Sequence, residues 1–127
     1  MLSLAGCSFD ESEWPILRIT LERKLNDEEF RAYLDQYRTY VEGQRDYGLI
    51  FDVSVGFGFM PMSQVRMQLD FLSDNTELIR KRVRGIAFVL PSPAHRGLLK
   101  AMLKMGSLPT DFTVVGTVED ARRWLQG

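Results

Sequence analysis

The sequence is poor in the residues that build metal and redox sites, because its 127 residues include one cysteine and one histidine. A single cysteine excludes an internal disulfide and a multi-cysteine zinc or iron–sulfur site, and a single histidine excludes the multi-histidine metal sites. The formal net charge is only −1, so the chain has no basic excess for nucleic acid. No apolar run approaches the roughly 20 residues of a membrane span. We therefore expect no metal, no cofactor, no nucleic-acid partner and no membrane span.

Apolar residues make up 45% of the chain and charged residues 26%, which is typical of one soluble globular domain. The sequence LAGC at residues 4–7 is similar to the cleavage box of a bacterial lipoprotein, in which the cysteine is acylated. A secretory signal needs a basic region and an apolar stretch of roughly 7–15 residues before this box, and both are missing here. We expect a cytoplasmic protein with a flexible leader or an edge strand over residues 1–13 and a domain over 14–127. A lipoprotein anchored through Cys7 is the minor alternative.

Strand and helix patterns alternate along the rest of the chain. Short apolar runs rich in β-branched residues predict strands, and apolar residues at intervals of three and four predict helices. Asn26 is a suitable N-cap for the first helix because acidic residues follow it. The predicted strands cover residues 14–21, 47–53, 85–90 and 112–115, and the predicted helices begin at residues 27, 62, 93 and 118. Strands separated by helices form right-handed crossovers, so we expect an α/β fold with a single four- to five-stranded, mainly parallel sheet and helices on both faces.

Three segments resemble those of a known family. LIFDVS at residues 49–54 is similar to a STAS strand that ends in aspartate, a hydrophobic residue and serine, and RGIAFV at 84–89 resembles the next core strand. FTVVGTVEDARRWL at 112–125 is similar to the closing strand, acidic cap and A-x-x-W-L helix of that family. Residues 14–126 thus resemble a SpoIIAA-like member of the STAS superfamily, whose fold is related to the CRAL-TRIO lipid-binding domains. The resemblance implies a non-enzymatic regulatory or protein-interaction domain.

The same resemblance suggests one modification site. Sporulation-type STAS antagonists carry a phosphorylatable serine in a D-S-S-G-like turn after the strand that ends in aspartate, a hydrophobic residue and serine. This chain has FMPMS at residues 59–63, so Ser63 is the nearest equivalent, although neither the acid nor the glycine of that turn is present. Phosphorylation of Ser63 is therefore kept as a hypothesis.

Polar residues gather at the carboxyl ends of two predicted strands, where ligands bind in folds of this kind if the strand order reverses. Asp52 and Ser54 end one strand, and Ser92, His95 and Arg96 follow the next strand at the start of a helix. A helix N-terminus favours an anion. These residues predict a pocket for an anion or another ligand, and a capped, solvent-exposed helix start is the alternative.

The same serines, histidine and aspartate are the residue types of a nucleophile, a base and an orienting acid. The chain has no G-x-S-x-G motif, however, and no complete dinucleotide-binding or phosphate-loop motif. We predict no catalytic residue and no enzyme activity, and a hydrolase is the least favoured function.

The segment at residues 55–62 is unusually apolar for a loop, since loops normally lie on the surface. Phe57, Phe59 and Met60 either cover the core or present an apolar patch to a partner or an acyl ligand. The second outcome would make the chain a small-ligand or lipid-binding domain with an apolar pocket near residues 55–62, which is the alternative function.

Two predicted helices carry more apolar residues than one buried stripe needs. At about 100° per residue, the helix from residue 62 has one stripe that we predict to be buried: Val65, Leu69, Leu72, Thr76 and Ile79. Met67, Phe71 and Leu78 fall on nearly the opposite side and are predicted to be exposed. A break at residues 73–75 that changes the orientation of this helix is the alternative.

The helix from residue 93 shows a similar surplus. Its predicted core side consists of Ala94, Leu98, Ala101, Met102 and Met105, while Leu99 and Leu103 extend the apolar arc beyond it. The surplus residues of the two helices predict an interface, which consists of Met67, Phe71, Leu78, Leu99 and Leu103. Because most soluble homo-oligomers are two-fold dimers, we expect a homodimer, with a groove for an unknown protein partner as the other outcome.

Overall fold

The computed structural model describes residues 1–53, 61–106 and 108–127, which form six strands and five helices. The strands are β1 (Leu2–Leu4), β2 (Cys7–Glu13), β3 (Ile16–Leu21), β4 (Tyr47–Asp52), β5 (Val83–Val89) and β6 (Phe112–Val115). The helices are α1 (Asp27–Val41), α2 (Met62–Asp74), α3 (Thr76–Arg82), α4 (Pro93–Met105) and α5 (Val118–Gln126).

The six strands form one sheet in the order β1-β2-β3-β4-β5-β6. β1, β2 and β3 pair antiparallel, whereas the strands from β3 to β6 pair parallel. The predicted α/β fold and mainly parallel sheet are confirmed. The sheet has six strands rather than four or five because residues 2–13 contribute β1 and β2.

Residues 2–13 are part of the folded unit. The side chains of Cys7 and Phe9 in β2 are 0% and 1% exposed and pack in the main core. Gly6 lies in the turn between β1 and β2 with a φ of +76°, and a Cβ there would lie 2.5 Å from Leu25 Cδ2. Only glycine fits this turn without strain. The sheet therefore begins before residue 14, where the sequence placed the start of the domain.

The helices are distributed unequally over the two faces. Each parallel strand pairs with the next one in the chain, and right-handed connections of this kind place the intervening helices on the same face. Side chains of α1, α2, α3 and α4 accordingly join one core cluster, which includes Phe71 and Leu99. α5 covers the opposite face, where Ala121 packs with Ile50 and Ala87. Helices thus lie on both faces, as predicted.

α1 begins at the predicted cap. Asn26 Oδ1 accepts a hydrogen bond from Glu29 N at 2.8 Å, and Glu29 Oε1 accepts one from Asn26 N at 3.0 Å. The Arg23 guanidinium also donates to the Glu29 carboxylate. The bond from Arg23, followed by the one from Asn26, lowers the pKa of Glu29 to about 2.

α2 and α3 take the place of the single long helix that begins at residue 62 in the sequence-based prediction. α2 ends at Asn75, whose side-chain amide and backbone N–H both donate to the Phe71 carbonyl, at 2.9 and 3.1 Å. Thr76 Oγ1 donates to the Leu72 carbonyl at 2.8 Å as α3 starts. These two polar side chains donate hydrogen bonds to carbonyl groups in the last turn of α2, which have no partner within the helix, at the point where α3 begins.

The orientation predicted for the helix from residue 62 is wrong within most of α2, whereas Leu72 packs against the main core and, in α3, Ile79 lies in it, as predicted. Phe71, predicted to be exposed, is 3% exposed, whereas Leu69, predicted to be buried, is 59% exposed.

The Phe71 ring packs on Tyr37 of α1 with 5.5 Å between centroids, and the Arg38 guanidinium lies over it. Met67 also packs against the core. Contact with Tyr37 of α1 determines which apolar stripe of α2 faces the core. The sequence of α2 alone gives no information about this contact.

The orientation predicted for α4 is also wrong. Leu99 is 3% exposed, and Leu103 packs against the core. Leu98 and Met102, both predicted to face the core, are 51% and 46% exposed. The stripe that sequence analysis treated as surplus is therefore the one that reaches the core cluster.

These orientations correct the predicted interface. Phe71 and Leu99 are buried in the core, so they do not lie on a surface. Met67 and Leu103 are half-buried against the same core. Of the five predicted interface residues, Leu78 has the largest described exposure, at 37%.

Candidate functional site

The predicted crevice at the carboxyl edge of the sheet has no topological basis in this fold. Such crevices form where the strand order reverses between neighbouring strands. Here β3, β4, β5 and β6 follow one another across the sheet without a reversal. The polar residues at this edge must therefore be considered one by one.

Asp52 lies on the face of the sheet opposite to α4. Phe51 packs against the main core, to which α4 contributes, and successive strand residues point to opposite faces. On the α5 face, Asp52 Oδ2 accepts a hydrogen bond from Arg18 Nη2 at 3.1 Å. Asp52 is 6% exposed and the Arg18 side chain is 34% exposed, so this ion pair joins β3 to β4 in a partly buried position. The prediction had placed Asp52 in one pocket with the start of α4.

The start of α4 is a capped helix end. Ser92 Oγ accepts a hydrogen bond from His95 N at 3.4 Å. Arg96 Nη1 donates to the carbonyls of Leu90 and Pro91, both at 2.8 Å. The Arg96 guanidinium thus holds the connection between β5 and α4. This geometry is that of a capped helix start, and an anion or ligand pocket at these residues stays a prediction.

Four of the predicted site residues lie outside the described residues: Ser54, Phe57, Phe59 and Met60. Their roles in a ligand pocket or an apolar loop stay predictions.

Ser63 is exposed at the start of α2 and faces a carboxylate. Its Oγ donates to Asp27 Oδ1 at 3.1 Å. The neighbouring Gln64 is buried, and its Nε2 donates to the Leu25 carbonyl at 2.8 Å. A phosphate on Ser63 would lie against the negative charge of Asp27, which opposes it. Phosphorylation of Ser63 stays a prediction.

α2 presents apolar side chains on the side away from α1. Gln64 and Phe71 mark the side that contacts α1. Val65, Leu69 and Leu72 are spaced by four and three residues, so they share another side of the helix. α1 contacts the first side, and α4 follows α2 on the same face of the sheet, so we infer that these three residues lie toward α4.

α4 presents Leu98 and Met102 toward α2. Both helices return from the carboxyl edge of the sheet to its amino edge, so they run parallel to each other. In α2, Leu72 follows buried Phe71 and lies away from α1. In α4, the same rotation of about 100° per residue places Lys100 and Lys104, which follow Leu99 and Leu103, on the side away from α2. Leu98 and Met102, which precede Leu99 and Leu103, therefore lie on the α2 side.

We call the apolar strip between these helices the α2–α4 seam, which consists of Val65, Leu69, Leu72, Leu98 and Met102. Leu69, Leu98 and Met102 are 59%, 51% and 46% exposed. Apolar surface left in water costs about 25 cal/mol per Å², and exposed apolar side chains grouped together mark an interaction site. Surplus apolar faces on two helices were predicted from the sequence, but with the wrong residues.

A protein-family model described as SpoIIAA-like matches residues 16–126 of the chain. The chain belongs to the SpoIIAA-like family. This assignment confirms the resemblance seen in the sequence motifs, and the α/β sheet is consistent with the STAS fold. Membership in this generally non-catalytic family suggests a regulatory or interaction domain. Neither the comparison with curated proteins nor the comparison with solved structures found a match.

A shallow cleft of about 180 Å³ lies at the amino edge of the SpoIIAA-like domain. Arg45 Cζ stacks 3.8 Å from the centroid of the Trp14 ring. The Glu11 carboxylate accepts hydrogen bonds from Arg45 Nη2 and from the Tyr40 hydroxyl, each at 3.0 Å. Sequence reasoning missed this cleft because its residues come from two separate segments, 11–14 and 36–45, with no spacing pattern to reveal them. Its charged groups are already paired within the protein.

The described part of the SpoIIAA-like domain contains no group of three or more His, Cys, Asp or Glu residues that could hold a metal ion. Among the helices described, none is long and apolar enough to cross a membrane. The Cys7 thiol is free and buried, and burial raises its pKa to about 12. It is therefore protonated near neutral pH and a poor nucleophile.

We expect the native Cys7 thiol to resist a water-soluble disulfide reagent. The reaction should be at least about 100-fold slower in buffer than in concentrated urea, because both low exposure and a raised pKa suppress thiolate attack. Thiol release measured by absorbance tests this, with the unfolded protein as the control. Equal rates in the two conditions would show that Cys7 lies outside the core. Acylation of the lipoprotein type would also require an accessible Cys7.

Proposed function

We propose that this domain acts by binding another protein in a bacterial cytoplasm, that it carries out no catalysis, and that the α2–α4 seam is its contact surface. The observation that carries the proposal is the exposure of Leu69 on α2 and of Leu98 and Met102 on α4. Membership in the SpoIIAA-like family supports a regulatory or interaction role.

The composition of the seam supports the proposal. Protein interfaces combine an apolar centre with a polar rim. The seam supplies the centre, and exposed Arg66, Lys100 and Lys104 stand beside it on α2 and α4. Covering the centre would remove large apolar side chains from water, which is the main favourable contribution to association.

The contact surface can be tested by photo-crosslinking in the source cell. A photoreactive amino acid at position 98 should give a discrete adduct with another protein, and one at Arg31 on the exposed side of α1 should not. Leu69→Asp should abolish the adduct at position 98 without unfolding the domain, because Leu69 is largely exposed. Identical adducts at positions 98 and 31, or persistence of the adduct in Leu69→Asp, would count against the seam.

The absence of catalysis is tested through His95. His95→Ala leaves its backbone N–H, which Ser92 caps, unchanged. A screen of ester, phosphoester and nucleotide substrates should find no turnover that depends on His95. An activity lost in this variant would replace the interaction proposal with a hydrolase.

A homodimer is the second candidate within the interaction class. The exposed seam favours it, but a two-fold contact would bring Arg66, Lys100 and Lys104 of two copies together, and like charges oppose such a contact. Sedimentation of the wild type and of Leu69→Glu/Leu98→Glu tests it. A wild type that is monomeric at high micromolar concentration would exclude the homodimer and would leave the proposed contact with another protein unaffected.

The small-ligand or lipid-binding alternative rests on an apolar pocket near residues 55–62, most of which lie outside the described residues. Native mass spectrometry of the purified protein tests it. A lipid bound in a one-to-one ratio would favour this alternative over the interaction proposal.

A further inference from the structure

We propose that the α2–α4 seam receives one amphipathic α-helix from a partner protein, and that acidic residues flank the apolar stripe of that helix. This inference rests on the proposed function and adds the chemistry of the partner. Three features carry it: the shape of the seam, the charges beside it and the small residues on the outward side of α4.

The shape of the seam suits a helix. The strand order places α2 and α4, each of 13 residues, side by side and parallel on one face of the sheet, so they border the seam. At about 1.5 Å per residue, each helix is about 20 Å long. A groove of this length between helices accepts the apolar face of another helix, anchored by side chains at intervals of three, four and seven residues. The apolar residues of the seam themselves follow such intervals, with Leu69 four residues after Val65 and Met102 four after Leu98.

The outward side of α4 leaves room for a close approach. Ala94, Gly97 and Ala101 lie three and four residues apart and are exposed. A Cβ built on Gly97 meets nothing within 4 Å. A partner backbone can therefore approach α4 without meeting a large side chain, and the partner's apolar side chains can reach Leu98 and Met102.

The charges beside the seam specify the sign of the partner. α4 carries His95, Arg96, Lys100 and Lys104 and has no acidic residue. Lys100 and Lys104 are exposed one turn apart on the outer side of α4, and Arg66 is exposed on α2. This basic rim would repel a basic helix and attract an acidic one, and electrostatic complementarity of this kind selects partners.

The acidic residues of α2 do not neutralise the two lysines of α4. Asp70 is four residues after Arg66 and shares its side of α2, so it offsets that one positive charge, and Asp74 lies toward the α1 side of the helix. The seam therefore has apolar residues in its centre and basic residues on its α4 rim. A second copy of the chain would present the same basic residues, so a foreign acidic helix fits better.

The test uses three probes with purified full-length protein. The first is a designed 18-residue helical peptide, with a leucine stripe flanked by glutamates and a fluorophore at one end. The second is the same peptide with lysines in place of the glutamates. The third is a vesicle of phosphatidylglycerol and phosphatidylcholine. Anisotropy reports peptide binding, and flotation reports vesicle binding.

We expect the glutamate peptide to bind at least about tenfold more tightly than the lysine peptide. Lys100→Glu/Lys104→Glu should lower the affinity for the glutamate peptide at least about fivefold and raise the affinity for the lysine peptide. The expected change is modest because each exposed charge pair at a rim contributes little. Lys24→Glu/Arg31→Glu carries the same charge change on exposed residues away from the seam and should leave both affinities unchanged. Leu98→Ala/Met102→Ala should weaken the glutamate peptide at least about tenfold.

The outcomes separate this inference from the proposed function. Equal affinities for the two peptides, both lost in Leu98→Ala/Met102→Ala, would overturn the acidic partner and leave the seam as a protein-binding surface. Binding to the vesicles with no binding to either peptide would overturn the helical partner and favour a lipid surface. Failure of every probe, together with no adduct at position 98 in cells, would overturn both.

Discussion

Phe71→Ala should lower the free energy of unfolding by about 3–5 kcal/mol, whereas Leu69→Ala, two residues earlier on α2, should change it by less than about 0.5 kcal/mol. Phe71 is 3% exposed and packs against Tyr37, so its removal leaves a cavity in the main core. Leu69 is 59% exposed and has little buried surface to lose. Urea unfolding followed by circular dichroism measures both values.

This pair of variants also decides how α2 is oriented. The helical pattern of the sequence predicts the reverse order, with the larger loss at Leu69. Equal losses at the two positions would mean that both stripes of α2 are packed and that the seam is covered. Phe71→Glu is unsuitable for testing association, because a charge at this buried position would unfold the domain.

Raising the pH above about 10 should unfold the protein in one cooperative step. The chain has four tyrosines, Tyr33, Tyr37, Tyr40 and Tyr47. Burial raises the pKa of Tyr37 and of Tyr40 to about 12 and holds those of Tyr33 and Tyr47 well above the usual value. In the unfolded chain these hydroxyls lose their protons near pH 10, whereas in the folded protein they keep them.

The sign follows from proton linkage. Above about pH 10 the unfolded state binds fewer protons than the folded state, so stability falls by about 1.4 kcal/mol per pH unit for each tyrosine. Four tyrosines together remove about 5–6 kcal/mol per unit until the folded groups ionise. Because whole domains are stable by about 5–15 kcal/mol, the loss should be complete within about one to three pH units.

The titration is followed by tyrosinate absorbance and circular dichroism on the same samples. The two signals should change together. Tyr47→Phe removes one buried ionisable group. The free energy of unfolding should therefore fall with pH less steeply than in the wild type, and the slopes should differ by about 1.4 kcal/mol per pH unit. A gradual ionisation near pH 10 with an unchanged circular dichroism spectrum would show that the tyrosines are accessible to water.

The alternation of strands and helices could be predicted because it is encoded locally. The apolar run at residues 85–90 lies within two residues of β5 at either end, and residues 112–115 coincide with β6. The caps Asn26 and Ser92 occupy the positions that free backbone N–H groups require. Such signals need no knowledge of distant parts of the chain.

The strands β1 and β2 could not be predicted as firmly. In β2, inward-facing Cys7 and Phe9 alternate with polar residues, and the run ends in Asp and Glu. Such a strand is half-buried and acquires its stability from pairing with β3. Its sequence alone does not distinguish it from a flexible leader.

The orientation of α2 and α4 and the pairing at the candidate site depend on neighbours. Each helix has two apolar stripes, and the adjoining elements choose between them. Arg18 and Asp52 are 34 residues apart and meet because β3 and β4 pair with a particular register. Arg96 was expected to face a ligand, but it donates to two carbonyls of its own connection. None of these choices has a signature in spacing along the chain.

The sequential order of the strands has a consequence for biosynthesis. From β2 onward each strand pairs with the one made just before it, so the sheet grows at a single edge as the polypeptide leaves the ribosome. None of the six described strands has to insert between two that are already paired. The face opposite α1 is different, because Ile50 and Ala87 on that face are covered only by α5, which is made after all six described strands. The nascent domain therefore carries an apolar sheet face in water until residues 118–126 have emerged, and this is the interval in which a chaperone would find it.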